Sequence, residues 1–328
     1  MVLDVVGSSP TSRPNKVHLK ANKQTALVLE GQADEFGLSG LSIIGEYFQL
    51  TKPRIELLII IATAVGYCFG IGSTFHIGRL LNALLGTALM AAGSATLNQW
   101  YERDIDEKMN RTKGRPIPAG TISARNALIF GVLVSVLGFG ELLVFTNYLA
   151  ALLSFATSFG YLFVYTPLKQ RSPICTTIGA IPGAMPPLIG FAAANGHLTS
   201  NAWILFGILF FWQFPHFHAI ARMYREDYAR GGVKMLAVVD PEGRRVRWQI
   251  IVNTLLLTAV TLTPTFAHMA GRLYFFGALL LGMGLLYFAC KICKEYTFER
   301  ARQLLLASVI YMPLLFALLV FDNPRFWF

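Results

Sequence analysis

The sequence predicts an all-α membrane protein, a polytopic bundle of nine transmembrane helices. Of its 328 residues 54% are hydrophobic and only 14% are charged, whereas soluble domains carry about 25% charged residues. The apolar residues fall into nine blocks separated by polar stretches, and each block is close to the roughly 20 residues that cross a bilayer. This pattern excludes a disordered or collagen-like chain and argues against a soluble enzyme.

The predicted domain begins after an N-terminal tail. Residues 1–45 mix Gly, Ser, Pro and scattered charge, and their apolar run is too short for a signal-peptide core. We therefore expect a loosely ordered tail with a short interfacial helix near Leu41–Leu50, followed by one transmembrane domain over residues 46–328. The predicted spans are 55–75, 80–100, 124–145, 148–167, 174–194, 201–221, 248–269, 273–290 and 303–321.

The lysines and arginines predict the orientation of the bundle. If the N-terminus is cytoplasmic, 25 of the 28 basic residues lie on that side, and only Arg79, Arg272 and Arg325 lie on the other. Basic residues collect in the cytoplasmic loops of membrane proteins. We therefore expect a protein of the cell inner (plasma) membrane with its N-terminus in the cytoplasm and its C-terminus outside. The same rule accounts for the net charge of +10, and because no basic stretch carries a recognition motif, we expect no nucleic-acid partner.

A row of oxygen-bearing side chains is predicted at the end of the second helix. At about 100° per residue, Asn98, Glu102 and Asp106 share one face, and Asp104 falls on the opposite side. Carboxylate and amide oxygens suit Mg²⁺, which commonly bridges protein carboxylates to substrate phosphates. A solvated acidic helix end is the alternative, but acids grouped where a helix leaves the bilayer are costly unless they have a function. The row therefore favours a magnesium site.

A second polar group is predicted around the sixth helix. If that helix continues past Pro215 without a change of phase, one stripe carries Gln213, His216, Tyr224 and Asp227. A histidine that shares a face with an acid at the mouth of the bundle is a candidate for acceptor binding. A hydrogen-bonded packing role is the alternative for His216, and it is the role expected for His218, which faces away.

Cationic residues accompany both polar groups. They are Arg111, Lys113, Arg115, Lys169, Arg171 and Lys234. Each alone could be an ordinary cytoplasmic charge, but together with the acids they favour a highly anionic substrate held through a metal and through direct contacts. A diphosphate fits this description better than a carboxylate. Because the cavity behind the charges would be apolar, we expect the diphosphate to carry a long hydrocarbon tail.

These motifs carry a family resemblance. Asn98-x3-Glu102-x3-Asp106, followed by Arg115-Pro116, resembles the first motif of the UbiA-type intramembrane prenyltransferases. Longer strings resemble the haem-farnesylating branch of that family: NQWYERDIDEKMNRTKGRPIPAG (98–120), TPLKQRSP (166–173), MPPLIG (185–190), WQFPHF (212–217) and YREDYARGGVKML (224–236). The resemblance covers about residues 45–320 and implies a UbiA-like prenyltransferase fold.

Two departures from the general family pattern bear on the site. Most members have Asp where this chain has Glu102, although the haem branch also uses Glu. The general second motif, D-x3-D-x3-G, would place acids where Tyr224 and Tyr228 stand, so that Asp227 is the nearby acid. Transfer of a second metal site to this chain therefore depends on Asp227 alone.

The resemblance implies a reaction and its participants. A farnesyl group would pass from farnesyl diphosphate to the vinyl group of haem B, giving haem O and diphosphate, in haem A/O biosynthesis for terminal oxidases. Mg²⁺ would be the cofactor, haem B would be a substrate, and the protein would work within the lipid bilayer. Haem A synthase and oxidase assembly proteins are candidate partners.

The resemblance also implies roles for the site residues. The catalytic, metal-binding set would be Asn98, Glu102, Asp106 and Asp227. The cations Arg111, Lys113, Arg115, Lys169, Arg171 and Lys234 would bind the diphosphate. The residues at the haem would be His216, Gln213, Tyr224 and Tyr228.

Three other functions are compatible with parts of the sequence. A prenyltransferase with an aromatic acceptor, such as a quinone precursor, is the nearest, but Tyr224, Tyr228 and the Pro-His-Phe sequence of the sixth helix favour haem. A transporter would place its polar residues near the middle of the membrane rather than at one face. A non-catalytic haem-binding or assembly protein would account for His216 but would leave the row of oxygen donors without a role.

Overall fold

The computed structural model describes residues 38–72 and 74–323. This part of the chain contains helices and no strand, and nine of its helical segments are long and apolar enough to cross a membrane. The predicted all-α class and the nine predicted spans are confirmed. Most of the predicted tail lies outside the described residues.

The helices of the first half follow the predicted spans. The predicted interfacial helix is α1, Leu38–Leu50, and the first three spans are α2, Pro53–Gly70, α3, Ile77–Asp106, and α4, Ala124–Phe145. The fourth span comprises α5, Tyr148–Phe159, a π-helical turn, Gly160–Tyr165, and the short α6, Thr166–Leu168.

The helices of the second half begin with a broken span. The fifth span consists of α7, Cys175–Ala184, and α8, Pro186–Asn195, and the sixth is α9, Ser200–Met223. A loop with two short helices follows, α10, Arg225–Arg230, and α11, Leu236–Val239. The last three spans are α12, Arg244–Phe266, α13, Arg272–Lys294, and α14, Phe298–Phe321.

Helix α3 is longer than a bilayer requires. Its 30 residues extend to about 45 Å, whereas the hydrocarbon core is about 30 Å thick. The helix therefore continues beyond the apolar region, and its last two turns carry Glu102 and Asp106. This extension places the acids at one end of the bundle.

The break in the fifth span allows two backbones to approach closely. Met185 and Pro186 interrupt the span because proline cannot donate the main-chain hydrogen bond of a helix interior. Helix α8 then packs against α2 so tightly that a Cβ added to Gly190 would collide with the Thr63 carbonyl oxygen. Small residues at such contacts are typical of helix packing in membranes.

The remaining contacts divide the helices into two neighbouring groups. In the first group, α3 packs along α4, and α5 packs against α8. In the second group, α9 packs against α12 and α14, and α13 also contacts both of these helices. Large apolar side chains such as Val144, Phe266 and Leu280 point outward and are more than 60% exposed. Apolar surfaces of this kind are expected to contact lipid.

Candidate active site

The predicted row of oxygen donors lies inside the protein. Asn98 and Asp106 are each 1% exposed and Glu102 is 7% exposed. The Asp104 side chain, two residues before Asp106, is 80% exposed. The helical repeat of α3 therefore turns the row inward and Asp104 outward, as the sequence pattern predicts.

Each of the three side chains of the row contacts a different cation through one of its oxygen atoms. The Lys52 Nζ donates to Asn98 Oδ1 at 2.9 Å, and the Lys169 Nζ donates to Glu102 Oε1 at 2.8 Å. A guanidinium nitrogen of Arg115 lies 2.5 Å from Asp106 Oδ2. The three cations come from three separate segments of the chain, so the fold brings one cation to each side chain of the row.

Lys52 is a site residue that the sequence reasoning missed. Its backbone has a left-handed conformation, with φ 57°, immediately before Pro53 at the start of α2. Such a conformation is uncommon for a residue other than glycine, and here it accompanies an ammonium group directed at Asn98. Burial and the nearby Arg115 lower the pKa of Lys52 to about 7, although Glu102 and Asp106 act in the opposite direction. A Lys-Pro pair at the predicted cytoplasmic end of the first span is the signal that could have identified it.

Lys169 is positioned by the irregular fourth span. The π-helical turn precedes it, and its Nζ lies 4.6 Å from the centroid of the Tyr165 ring. Burial opposes the positive charge, but the Glu102 carboxylate and the neighbouring tyrosine side chains hold the pKa of Lys169 well above its usual value. Lys169 is therefore a permanent cation, and π-helical turns of this kind are frequent at functional sites.

A tight turn brings Arg115 back to Asp106. The Thr112 hydroxyl donates to the Asp106 carbonyl oxygen at 2.8 Å, and the Arg115 main-chain N–H donates to the Thr112 carbonyl oxygen at 3.0 Å. These bonds fold the segment after α3 over the helix end. Arg115 thereby reaches an acid nine residues earlier in the sequence.

The chemistry of the row fits a magnesium ion. The second carboxylate oxygen of Asp106 is buried and has no hydrogen-bond partner, so it is a free acceptor about one helical turn from Glu102. Among the described residues no group of three or more His, Cys, Asp or Glu side chains could hold a metal by itself. A metal here would need the Asn98 oxygen, water and substrate phosphate to complete its coordination, as Mg²⁺ commonly does.

Asp227 has different neighbours from the row. Its Oδ2 accepts from the main-chain N–H of Arg111 at 3.0 Å, and its Oδ1 accepts from that of Asn110 at 3.1 Å and from Arg230. Burial opposes ionisation, but these donors hold the pKa of Asp227 below its usual value. Asp227 therefore joins the loop after α9 to the loop after α3, and its role as a metal ligand stays a prediction.

Three other predicted residues lie together beside Asp227. The Arg111 guanidinium carbon is 5.3 Å from the centroid of the Tyr224 ring and 5.8 Å from that of Tyr228. Such distances are within the range of cation–π attraction. The two tyrosines that replace the acids of the general family motif thus contact a cation of the first loop.

The predicted stripe along the sixth helix is wrong. Helix α9 ends at Met223, and Tyr224 has non-helical backbone angles before α10 begins, so the helical phase does not continue to Asp227. Gln213 donates to the Ala180 carbonyl oxygen of α7 at 2.9 Å, whereas His216 Nδ1 lies 2.9 Å from Ser308 Oγ of α14. Gln213 and His216 therefore contact different helices.

The two histidines of α9 differ in their surroundings. His216 is partly buried and stacks on Trp212, with ring centroids 4.6 Å apart. His218 Nε2 lies 2.7 Å from Gln249 Oε1 of α12. The latter contact joins two helices, which is what the packing role expected for His218 requires.

The remaining predicted cations line the outside of the same end of the bundle. Lys113, Arg171 and Lys234 are exposed. The Lys234 main-chain N–H donates to the Lys169 carbonyl oxygen at 2.7 Å. This bond holds the loop after α9 next to the segment that supplies Lys169, so the three loops that carry predicted site residues meet at one end of the bundle.

Comparison with known proteins identifies the same family that the sequence motifs resemble. The UbiA prenyltransferase family matches residues 59–325. A protein named protoheme IX farnesyltransferase from Solibacter usitatus (strain Ellin6076) is 50% identical over 288 residues, which cover 85% of this chain and 99% of the relative. The protein of the same name from Koribacter versatilis (strain Ellin345) is 44% identical over 292 residues, covering 86% of this chain and 94% of the relative.

Solved structures share the fold. A digeranylgeranylglyceryl phosphate synthase matches with a TM-score of 0.73 at 18% identity, covering 87% of this chain and 99% of that one. A UbiA homologue from Archaeoglobus fulgidus bound to GPP and Mg²⁺ matches with a TM-score of 0.56 at 19% identity, covering 84% of this chain and 99% of that one. At these identities the likeness shows the fold alone.

The family match and the close relatives together establish what kind of protein this is. The chain belongs to the UbiA prenyltransferase family, within the group of the protoheme IX farnesyltransferases. It is a multi-pass membrane protein, with nine candidate spans in the part that the structure describes.

Proposed function

We propose that this protein transfers the farnesyl group of farnesyl diphosphate to the vinyl group of haem B, forming haem O and diphosphate, in haem A/O biosynthesis. The names of its close relatives support this reaction. The main structural support for this reaction is the buried row of Asn98, Glu102 and Asp106, in which an oxygen atom of each side chain contacts a cation. A site of this composition suits a substrate that brings both a metal ion and several negative charges.

The row and its cations would bind different parts of the substrate complex, the metal ion and the diphosphate. Asn98, Glu102 and Asp106 would hold Mg²⁺, which when bound supplies Lewis-acid assistance by neutralising charge on the departing diphosphate. Lys52, Arg115 and Lys169 already lie beside the row and would turn from its oxygens to those of the diphosphate. Cations placed where negative charge develops stabilise the transition state. Lys113, Arg171 and Lys234, which are exposed, would attract the anionic substrate to this end of the bundle.

The reaction needs no covalent bond to the protein. The carbon–oxygen bond between farnesyl and diphosphate breaks, and the diphosphate leaves with the electron pair. The haem vinyl group then donates its π electrons to the allylic cation. Water adds to the resulting cation on the former vinyl carbon and loses a proton, which gives a hydroxyalkyl side chain that carries the farnesyl group. Tyr161 and Tyr165, whose rings are 5.5 Å apart in the π-helical turn, would shield and stabilise the cation through their π faces.

The acceptor would lie on the α9 side of the site. His216 Nδ1 is engaged by Ser308, and a neutral imidazole held in this way is a suitable ligand for haem iron through Nε2. Tyr224 and Tyr228 would contact the haem beside Arg111. Gln213, which is bonded to α7, would fix the orientation of α9. Asp227 would support the diphosphate site from the neighbouring loop.

The location follows from the charges. The loops that carry the site are those in which the basic residues are concentrated, so the site would open to the cytoplasmic face of the inner membrane. Farnesyl diphosphate, whose diphosphate group is hydrophilic, would enter from that face. Haem A synthase and oxidase assembly proteins are the partners that such a product would require.

The test is mass spectrometry of haems extracted from cells that lack their own haem O synthesis, with and without this protein. We expect a new species that is heavier than haem B by one farnesyl group and one hydroxyl group. A membrane that contains the protein in normal amounts but only haem B would contradict the proposal. A prenylated aromatic product without haem O would indicate the alternative acceptor class.

A further inference from the structure

A groove on the outer surface is separate from the row of oxygen donors. It has a volume of about 500 Å³ and lies between the segment before α7 and the first turns of α12. Ile174 and Leu236 form apolar parts of its wall, and Arg244, Arg245 and Trp248 form the other side. None of the residues assigned above to the metal, the diphosphate or the haem lines it.

The guanidinium groups of the two arginines in the groove are available to a ligand, because the nearby acids engage them weakly. Arg244 and its partner Glu242 are both more than 70% exposed at 3.1 Å, and such surface pairs are weak. Asp240 is the other nearby acid, but its Oδ2 accepts from the main-chain N–H groups of Arg245 and Val246 at 2.7 and 3.2 Å. Asp240 therefore stabilises the start of α12 instead of pairing with the Arg245 guanidinium.

The groove lies at one end of a candidate membrane span. Arg244 and Arg245 are the first residues of a membrane-spanning helix, and Trp248, one turn further, is 69% exposed. Ile174, on the opposite wall, is 53% exposed. Tryptophan favours the headgroup level of a bilayer, and basic pockets between membrane helices on the cytoplasmic side suit anionic headgroups.

We propose that this groove binds one anionic phospholipid. Arg244 and Arg245 would contact the phosphate, and Trp248, Ile174 and Leu236 would contact the glycerol and the first methylene groups of the acyl chains. Gln249 at the same site is bonded to His218 of α9, so a lipid held there would rest on a surface that joins α12 to α9. This proposal does not depend on the reaction that the protein catalyses.

The test is native mass spectrometry of the purified full chain titrated with palmitoyl-oleoyl phosphatidylglycerol or with phosphatidylcholine of the same acyl chains. We expect the protein to retain phosphatidylglycerol in preference to phosphatidylcholine. The double variant Arg244→Gln/Arg245→Gln should lose about fivefold in phosphatidylglycerol affinity for each arginine removed, and Trp248→Leu should also weaken binding.

Matched controls use the same residue types at the opposite end of the bundle. Arg272→Gln, at the start of α13, and Trp203→Leu, near the start of α9, should leave phosphatidylglycerol binding unchanged. Unaltered phosphatidylglycerol affinity in the double variant would overturn the proposal, and so would equal retention of phosphatidylcholine by the unmodified protein. Displacement of the lipid by millimolar inorganic phosphate would also overturn it, because the site would then recognise free phosphate. Thermal melting of each variant in detergent distinguishes a loss of lipid binding from a loss of fold.

Discussion

At the scale of single residues, burial separates side chains that the sequence places next to each other. Asp104 and Asp106 are two positions apart on α3, yet Asp104 is exposed and Asp106 is almost completely enclosed. Glu102 and Glu107 differ in the same way. These pairs provide matched controls, since both members of a pair have the same chemistry and the same helix or helix end.

The first prediction concerns this pair of aspartates. Asp106→Asn removes a charged donor of the row and should lower haem O formation about a hundredfold or more, because one fixed electrostatic contact in an active site has an effect of this size. Asp104→Asn should retain nearly full activity. Haem O production by purified protein of each variant is the measurement, and equal activity of the two variants would remove Asp106 from the site.

The second prediction concerns Lys52. Lys52→Met should raise the KM for farnesyl diphosphate about tenfold, because a charged hydrogen bond to the substrate would be lost. Lys52→Arg should restore much of the affinity, since it retains the positive charge. Lys108→Met, which changes an exposed lysine near the end of α3, should leave KM unchanged. A purely structural role for Lys52 would lower the melting temperature of Lys52→Met without this change in KM.

At the scale of helices and loops, contacts between segments position the charges. Asp227 bonds to the main chain of the loop after α3, and Lys234 bonds to the carbonyl of Lys169. The loop after α9 therefore holds the two segments from which Arg115 and Lys169 project. This arrangement gives the second sequence motif a positioning function in addition to any contact with substrate.

The third prediction follows from the Asp227 contacts. Asp227→Asn replaces one carboxylate oxygen by a donor, so the amide hydrogens of residues 110 and 111 should exchange with solvent at least tenfold faster. Hydrogen exchange of the metal-free protein is the measurement. Glu226→Gln, which changes the exposed neighbouring acid, is the control. If Asp227 served only as a metal ligand, exchange in the metal-free protein would be the same in both variants and in the unmodified chain.

The fourth prediction concerns the contact between α2 and α8. Gly190→Ala would place a methyl group against the Thr63 carbonyl oxygen of the facing helix, and overpacking of this kind costs about 1–3 kcal/mol. We expect a clearly lower melting temperature in detergent. Gly140→Ala, in α4, meets no atom within 4 Å and should melt at the same or a slightly higher temperature, because alanine favours helix. Equal melting of both variants would show that α2 and α8 separate without cost.

At the scale of the whole molecule, the nine candidate spans of the described residues would place residues 38 and 323 on opposite sides of a membrane. The distribution of Lys and Arg predicts which of these two sides is the cytoplasm. With the predicted orientation, the site, the exposed cations and the proposed lipid groove would share the cytoplasmic face. One face would thus meet the soluble substrate head, and the bilayer would supply the apolar surroundings.

The fifth prediction tests this orientation with reporter fusions. A fluorescent protein that matures only in the cytoplasm should fluoresce at the N-terminus and remain dark at the C-terminus, whereas alkaline phosphatase at the C-terminus should be active. Fluorescence at the C-terminus would reverse the orientation or change the number of spans.

The sequence by itself determined the all-α class, the nine spans and the row of Asn98, Glu102 and Asp106. Hydropathy and helical periodicity are local properties, so they can be read from neighbouring residues without knowledge of the fold. Only the tertiary structure showed that Lys52 contacts Asn98, 46 residues away, and that Asp227 binds a loop 117 residues away. It also showed that α9 ends before the predicted stripe is complete. Contacts between distant segments depend on how the helices pack, and no local pattern in the chain specifies which partners a buried charge will find.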